Sequence, residues 1–256
     1  MLKGIWIISL EVIPLNLEPF IFDCEVFAYD WLFIFKNKVT KEYTVIWNDN
    51  EAVEQFMAQE PLLAGFNNKH YDQFILKAVL SGFTPEEVKA VNDFIIVGGH
   101  EGWEFAPLRD CGIFFDQYDL MDDCQMGLSL KAIEAHLGMD IRETTVSFNI
   151  NRPLTEDEKR EVEFYCRHDV DATDRLDDLR QGYLSSKLTL GREKGLYPAK
   201  ALYMTNAKLT ATYLDATQKP HYDEREYQYP PKLLRQYIPQ EVFNFFERLK
   251  DKSIPD

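Results

Sequence analysis

Apolar residues in this chain come first in short blocks and later at helical spacing. Phe20–Phe22 is apolar and stops at Asp23, the pattern of a buried strand that carries Asp23 and Glu25 near its end. Ala28–Phe35 and Tyr43–Trp47 are rich in aromatic and β-branched residues. The turn Lys36-Asn37-Lys38 between them predicts a hairpin, with Phe20–Phe27 as its neighbour. Asp49 or Asn50 caps a helix running to about Gln59, with Val53, Phe56 and Met57 inward. Leu62–Phe66 is another short apolar run, ending in the polar loop Asn67–His70. A helix follows from Tyr71, with Phe74, Ile75, Ala78 and Val79 at helical spacing and a stop near Gly82.

Further along, Thr84-Pro85-Glu86-Glu87 is a helix start, with threonine as cap and proline at the first helical position. Phe114–Leu120 reads as a strand, and Leu128–Leu137 as an amphipathic helix stopped by Gly138. Thr155-Glu156-Asp157-Glu158 opens a long helix that carries Tyr165 and Asp169 towards Asp178. A meander of strands followed by strands alternating with helices predicts an α/β fold, a mixed β-sheet with helices on its faces. After about Gly182, tyrosines, prolines and lysines become dense and the periodicity fades. The expected division is residues 1–182 and a C-terminal extension, 183–256.

Composition narrows the class. With 45% hydrophobic and 14% aromatic residues the chain can bury a real core, which excludes a disordered protein. Cys24, Cys111, Cys124 and Cys166 are scattered, without the spacing of a zinc finger, and predict free thiols in a reducing cytoplasm. The apolar N-terminus is interrupted by Glu11 and Pro14, has no small-residue cleavage site and is too short to cross a bilayer. An extra strand or a misplaced start codon is expected there, and no membrane association.

The net charge of −15 argues against a nucleic-acid partner unless cations reverse it locally. Two features oppose that argument. Dications on clustered carboxylates would invert the local field. The stretch from Ser186 to Lys219 also carries Lys187, Arg192, Lys194, Lys200, Lys208 and Lys219 against only Glu193 and Asp215, which reads as a phosphate track or as ordinary surface lysines.

Asp23 and Glu25, two apart on a strand, leave on the same face. Carboxylates so close repel unless a cation sits between them, so a metal is the natural third party. Tyr165 and Asp169 lie one turn apart on one helix face, which would put a phenol beside a metal-bound carboxylate. Asp171, Asp174, Asp177 and Asp178 crowd the same helix and read mostly as solvated. Asp72 begins a helix, where carboxylates are common simply because they favour the dipole. Each motif alone has an ordinary structural explanation; their order gives them weight. Phosphodiester hydrolysis with two divalent cations about 3.5–4 Å apart needs such a set of carboxylates.

Asp23-Cys24-Glu25, then Asn68-Lys69-His70-Tyr71-Asp72, then Tyr165 four residues before Asp169, resembles the three motifs of the DEDD superfamily of 3′–5′ exonucleases. The resemblance spans roughly Phe20 to Asp178, with Gln117-Tyr118-Asp119-Leu120 also fitting. It is to the tyrosine branch, which includes polymerase proofreading domains and ribonuclease D; the histidine branch carries its base where Phe164 stands, and His168 reads as a helix-face residue.

The resemblance implies a ribonuclease H-like fold and two divalent cations, Mg²⁺ or Mn²⁺, held by Asp23, Glu25, Asp72 and Asp169. Tyr165 would orient the nucleophile. Asn68 would touch the substrate backbone or anchor its own loop. Phe27 and Tyr71 would stack on terminal bases or serve as core. Gly195–Asp215 resembles the segment joining exonuclease to polymerase in phage family A-like polymerases, yet 256 residues leave no room for a polymerase. The implied partners are single-stranded or frayed 3′ DNA ends and a separate DNA polymerase subunit. An RNA 3′ exonuclease of the ribonuclease D kind and a non-catalytic DNA-binding module are the alternatives.

Overall fold

The computed structural model describes residues 18–124, 127–141, 144–217 and 238–249, so the expectations for the N-terminal apolar run and for Lys219 lie outside the described residues. The chain divides into two compact units, Met1–Tyr213 and Leu214–Asp256. The first is an α/β unit built on one five-stranded mixed sheet.

Its strands are β1 (Phe20–Val26), β2 (Trp31–Asn37), β3 (Tyr43–Trp47), β4 (Leu63–Gly65) and β5 (Gln117–Asp119), in the order β3-β2-β1-β4-β5. β1 pairs antiparallel with β2, and β2 with β3; β4 pairs parallel with both β1 and β5. The predicted second strand starts three residues late. Ala28–Asp30 is the turn that reverses the chain, closed by the Phe27 amide donating to the Asp30 carbonyl at 2.7 Å.

The helices are α1 (Asn50–Met57), α2 (Asp72–Leu80), α3 (Pro85–Ile96), α4 (Ala106–Arg109), α5 (Leu130–His136), α6 (Glu156–Glu193), α7 (Pro198–Tyr203) and α8 (Asn206–Tyr213), with α9 (Gln240–Leu249) in the second unit. Both predicted helix starts form, Thr84 capping α3 and Thr155 capping α6, and each is a capping box, with Glu87 and Glu158 returning the bond. Asp49 caps α1 and Ser129 caps α5. α6 passes unbroken through Gly182, where a boundary was expected. Its far end is tied to α7 by close packing: a Cβ on Gly191 would stand 2.4 Å from that of Ala201. None of the helices among the described residues is long and apolar enough to cross a membrane.

Strand alternation sorts the core into two layers. Phe22, Cys24 and Val26 join Phe33, Phe35, Phe56, Phe74, Ile75 and Val79 on the face covered by α1–α3. Ile21, Leu32 and Ile34 face the other way and pack with Val162, Cys166 and Val170 of α6. Asp23 and Glu25 belong to the second register, in line with Ile21 and towards α6.

The acidic run on α6 departs from the solvated reading. Asp174 and Asp177 are buried, and the lysines at the β2–β3 end reach down to them. Lys36 Nζ lies 2.6 Å from Asp174; Lys38 Nζ lies 2.8 Å from both Asp174 and Asp177 and 2.7 Å from Asp178; Lys41 adds a contact to Asp174. The Tyr118 hydroxyl donates to Asp177 at 2.8 Å. These contacts hold the Asp174 carboxyl down at about 2 against the opposing pull of burial. The network clamps the hairpin to α6.

Candidate metal centre

β4 pairs with β1 only through Phe20 and Ile21, so β1 runs past its neighbour and leaves a notch in the ladder beside Asp23–Glu25. The loop after β4 turns into that notch. Asn67 takes a left-handed conformation (φ 64°), which asparagine tolerates, and the Asp119 carboxylate receives the amides of Asn67 and Lys69 at 2.9 and 3.0 Å. Asn68 is fully buried, 2.8 Å from Gln117, and its amide nitrogen turned towards the carbonyls of Gly65 and Tyr118 donates to both, at 3.2 and 3.3 Å. A Cβ on Gly65 would meet that of Asn68 at 2.8 Å, so the loop needs glycine there. The loop in turn sets Asp72 at the first position of α2.

The four carboxylates named by the sequence gather here. Ligand atoms of Asp23, Glu25 and Cys166 all lie within 4.8 Å of one another. The Cys24 thiol donates to Asp72 at 3.1 Å, and the Cys166 thiol approaches Asp23 Oδ2 at 3.7 Å. Asp169 projects from the same α6 stretch as Cys166 and is paired with the Lys131 ammonium of α5. Tyr165 is half-buried one turn before it.

Burial bears on two of the candidate substrate contacts. Asn68 is sealed inside its loop, the position of an anchor, of the two roles expected for it. Phe27 is fully buried and stacks on Phe148 with ring centroids 5.0 Å apart, so no base reaches its face. Tyr71 is half-buried, and its hydroxyl donates to Asn92 at 2.7 Å. In the basic stretch, Lys187 is buried and donates to the Leu202 carbonyl, which removes it from a phosphate track; Arg192, Lys200 and Lys208 remain exposed.

The electrostatics are those of crowded carboxylates. Burial pushes Asp23 well above the carboxylate range, and the charges of Asp72, Glu25 and Asp169 push it further. Burial, then Asp169 and Asp72, raise Glu25 to about 8, with Lys131 opposing. Burial raises Asp72 to about 7 although the Cys24 thiol and backbone amides hold its charge. Asp169 is raised by burial, with Lys131 and His168 opposing. Cys24 and Cys166 are pushed well up, burial first and the carboxylates next, so both remain thiols that donate to oxygen. The atoms within reach of one another for a metal are thus carboxylate oxygens of Asp23 and Glu25 together with the Cys166 sulfur.

Sequence reading missed Lys131, Glu134 and the two flanking thiols. No spacing rule points to them, because each reaches the site by packing. No protein-family profile, curated protein or solved structure matches the chain.

A pH dependence follows. At pH 6 the folded protein keeps protons on Glu25 and Asp72 that a metal must displace; by pH 8 Asp72 has lost most of its proton and Glu25 about half. Mn²⁺ affinity is expected to rise at least about tenfold from pH 6 to pH 8. Calorimetry in buffers of different ionisation enthalpy should detect proton release at the lower pH. A flat profile with no release contradicts the crowded-carboxylate description.

Proposed function

We propose that the chain is a 3′–5′ exonuclease that hydrolyses DNA phosphodiesters with two divalent cations, of the tyrosine branch of the DEDD superfamily and with a ribonuclease H-like fold. The observation that carries this reading is the convergence of three distant motifs on one notch, where Asp72 and Asp169 add their charge to the burial that raises Asp23 and Glu25. The mixed sheet flanked by helices and the clustering of Asp23 with Glu25 support it.

Asp23, Glu25, Asp72 and Asp169 would hold the cations, which when bound activate water and steady the leaving oxygen. The chain's own residues do the rest. Asp23 and Glu25, fixed by the β1 ladder, present their oxygens towards α6. Asp72 is held from below by the Cys24 thiol. Tyr165, one turn from Asp169, orients the attacking water through its hydroxyl. The Asn68 anchor keeps the Asp72 turn in place. Proofreading during phage or prophage DNA replication, in the company of a separate polymerase subunit, is the setting we propose.

The test is digestion of a 5′-labelled single-stranded DNA, beside a matched RNA, by the purified protein with Mg²⁺ or Mn²⁺. The expected result is a ladder shortening from the 3′ end, abolished by chelator and stronger on DNA. A ladder on RNA alone transfers the reading to RNA 3′ processing. No ladder on either, from folded protein that still binds DNA, leaves only a binding module.

A further inference from the structure

Asp169 and Glu134 share one ammonium. Lys131, on the first turn of α5, bonds Asp169 Oδ1 and lies 3.5 Å from Glu134 Oε1, three residues along its own helix. Glu134 is fully buried, and neither of its carboxylate oxygens has a hydrogen bond among the described residues. What faces it is the Lys131 ammonium on one side and His168 on the other. His168 Nε2 is 3.7 Å from Glu134 but 2.7 Å from the Asp140 carbonyl, to which it is already committed. A buried carboxylate with open lone pairs is costly unless a cation can come to it. Lys131 is the group within reach that can do so by a small side-chain movement, since its stem is flexible and partly exposed.

Asp169 is also one of the four proposed cation ligands, and the oxygen Lys131 occupies is one a dication would need. We propose that Lys131 is the internal counter-ion of the nuclease site, resting on Asp169 in the metal-free protein and transferring to Glu134 when a divalent cation takes Asp169. Glu134 is then a positioning residue that acts through Lys131: it receives the displaced ammonium and keeps it beside the site, where the scissile phosphate arrives. This inference rests on the nuclease reading above.

Its consequence is a pair of effects of opposite sign on metal affinity. Lys131→Met removes the competitor, so Mn²⁺ should bind about tenfold tighter. Glu134→Gln keeps the shape but withdraws the resting place, so the ammonium stays on Asp169 and Mn²⁺ should bind several-fold more weakly. In the double variant the Glu134→Gln effect should vanish, because the ammonium through which it acts is gone. A simple field effect of the Glu134 charge would persist in that background.

The experiment is titration of MnCl₂ into the full chain, wild type and the three variants, by calorimetry and by the paramagnetic resonance of free Mn²⁺. Circular dichroism checks the fold, and Lys131→Arg, which keeps the charge, should bind like wild type. Unchanged or weaker binding by Lys131→Met overturns the proposal. So does a Glu134→Gln effect that is equal in both backgrounds. A wild type that takes up no Mn²⁺ overturns the nuclease reading itself, and the counter-ion role with it; uptake by wild type with an unaltered Lys131→Met overturns the counter-ion role alone.

Discussion

Asp72→Asn is expected to abolish cleavage while stabilising the metal-free protein. Cleavage should fall on the order of 10³-fold, because a charge that would help hold the cations is lost where charge stabilisation dominates. Stability should move the other way. In the unfolded chain Asp72 ionises at the ordinary value of about 3.9, whereas burial raises it to about 7 in the folded protein. Between those values the folded state holds the extra proton, so this group's contribution is intact below about pH 4 and is lost as pH rises through 7. Asparagine carries no such charge and can still accept from the Cys24 thiol. The thermal midpoint of Asp72→Asn should therefore exceed that of wild type at pH 8, by about 2–4 °C for each kcal/mol recovered, and converge with it near pH 4. Saturating Mg²⁺ should reverse the ranking, because only wild type gains full binding energy. A variant less stable than wild type at pH 8 without metal would contradict the burial of a charged Asp72.

The largest loss of stability is expected at Lys38→Met. The Lys38 ammonium serves Asp174, Asp177 and Asp178 at 2.7–2.8 Å and the Asp174 carbonyl at 3.0 Å. Asp177 is fully buried, so removing the ammonium leaves it, among the described residues, with the Tyr118 hydroxyl and the Gln181 amide. Breaking a buried pair in this way costs about 3–5 kcal/mol, most of it the penalty of the charge left behind. Lys41 is half exposed and reaches only Asp174, which keeps Lys36 and Lys38. Lys41→Ala should cost less than about 1 kcal/mol. Urea unfolding of the two variants beside wild type checks the contrast. Equal losses would mean that the network is a surface feature and not a clamp.

The legible parts of this chain were those set by local rules. Two-residue alternation put Asp23 and Glu25 on one face, and the cap chemistry of Thr84 and Thr155 marked the starts of α3 and α6 to the residue. Strand β2 begins later than expected because Ala28 and Tyr29 continue the apolar run without a turn signal, and the 2.7 Å Phe27–Asp30 bond closes a turn there. The end of α6 was misjudged because a helix packed along much of its length on sheet, α7 and α8 needs no clean amphipathic stripe, so Gly182 and the residues after it lacked the expected period.

The rest depended on partners far away in sequence. Lys38 and Asp177 are joined across more than a hundred residues, so the acids of α6 looked solvated until the hairpin met them. Phe27 lost its role as a base platform to Phe148, and Lys131 reached Asp169 from a different helix. Carboxylate spacing announced the site; what holds its charge in place is tertiary.

The most direct measurement is anomalous diffraction from crystals grown with Mn²⁺ and a nucleoside 5′-monophosphate, the product of the proposed reaction. The predicted map has two peaks about 3.5–4 Å apart, bracketed by Asp23, Glu25, Asp72 and Asp169, with the phosphate on them and the Lys131 ammonium withdrawn from Asp169. A map in which the nucleotide lies elsewhere, or in which no Mn²⁺ enters the notch and Lys131 still rests on Asp169, would contradict the two-cation nuclease site.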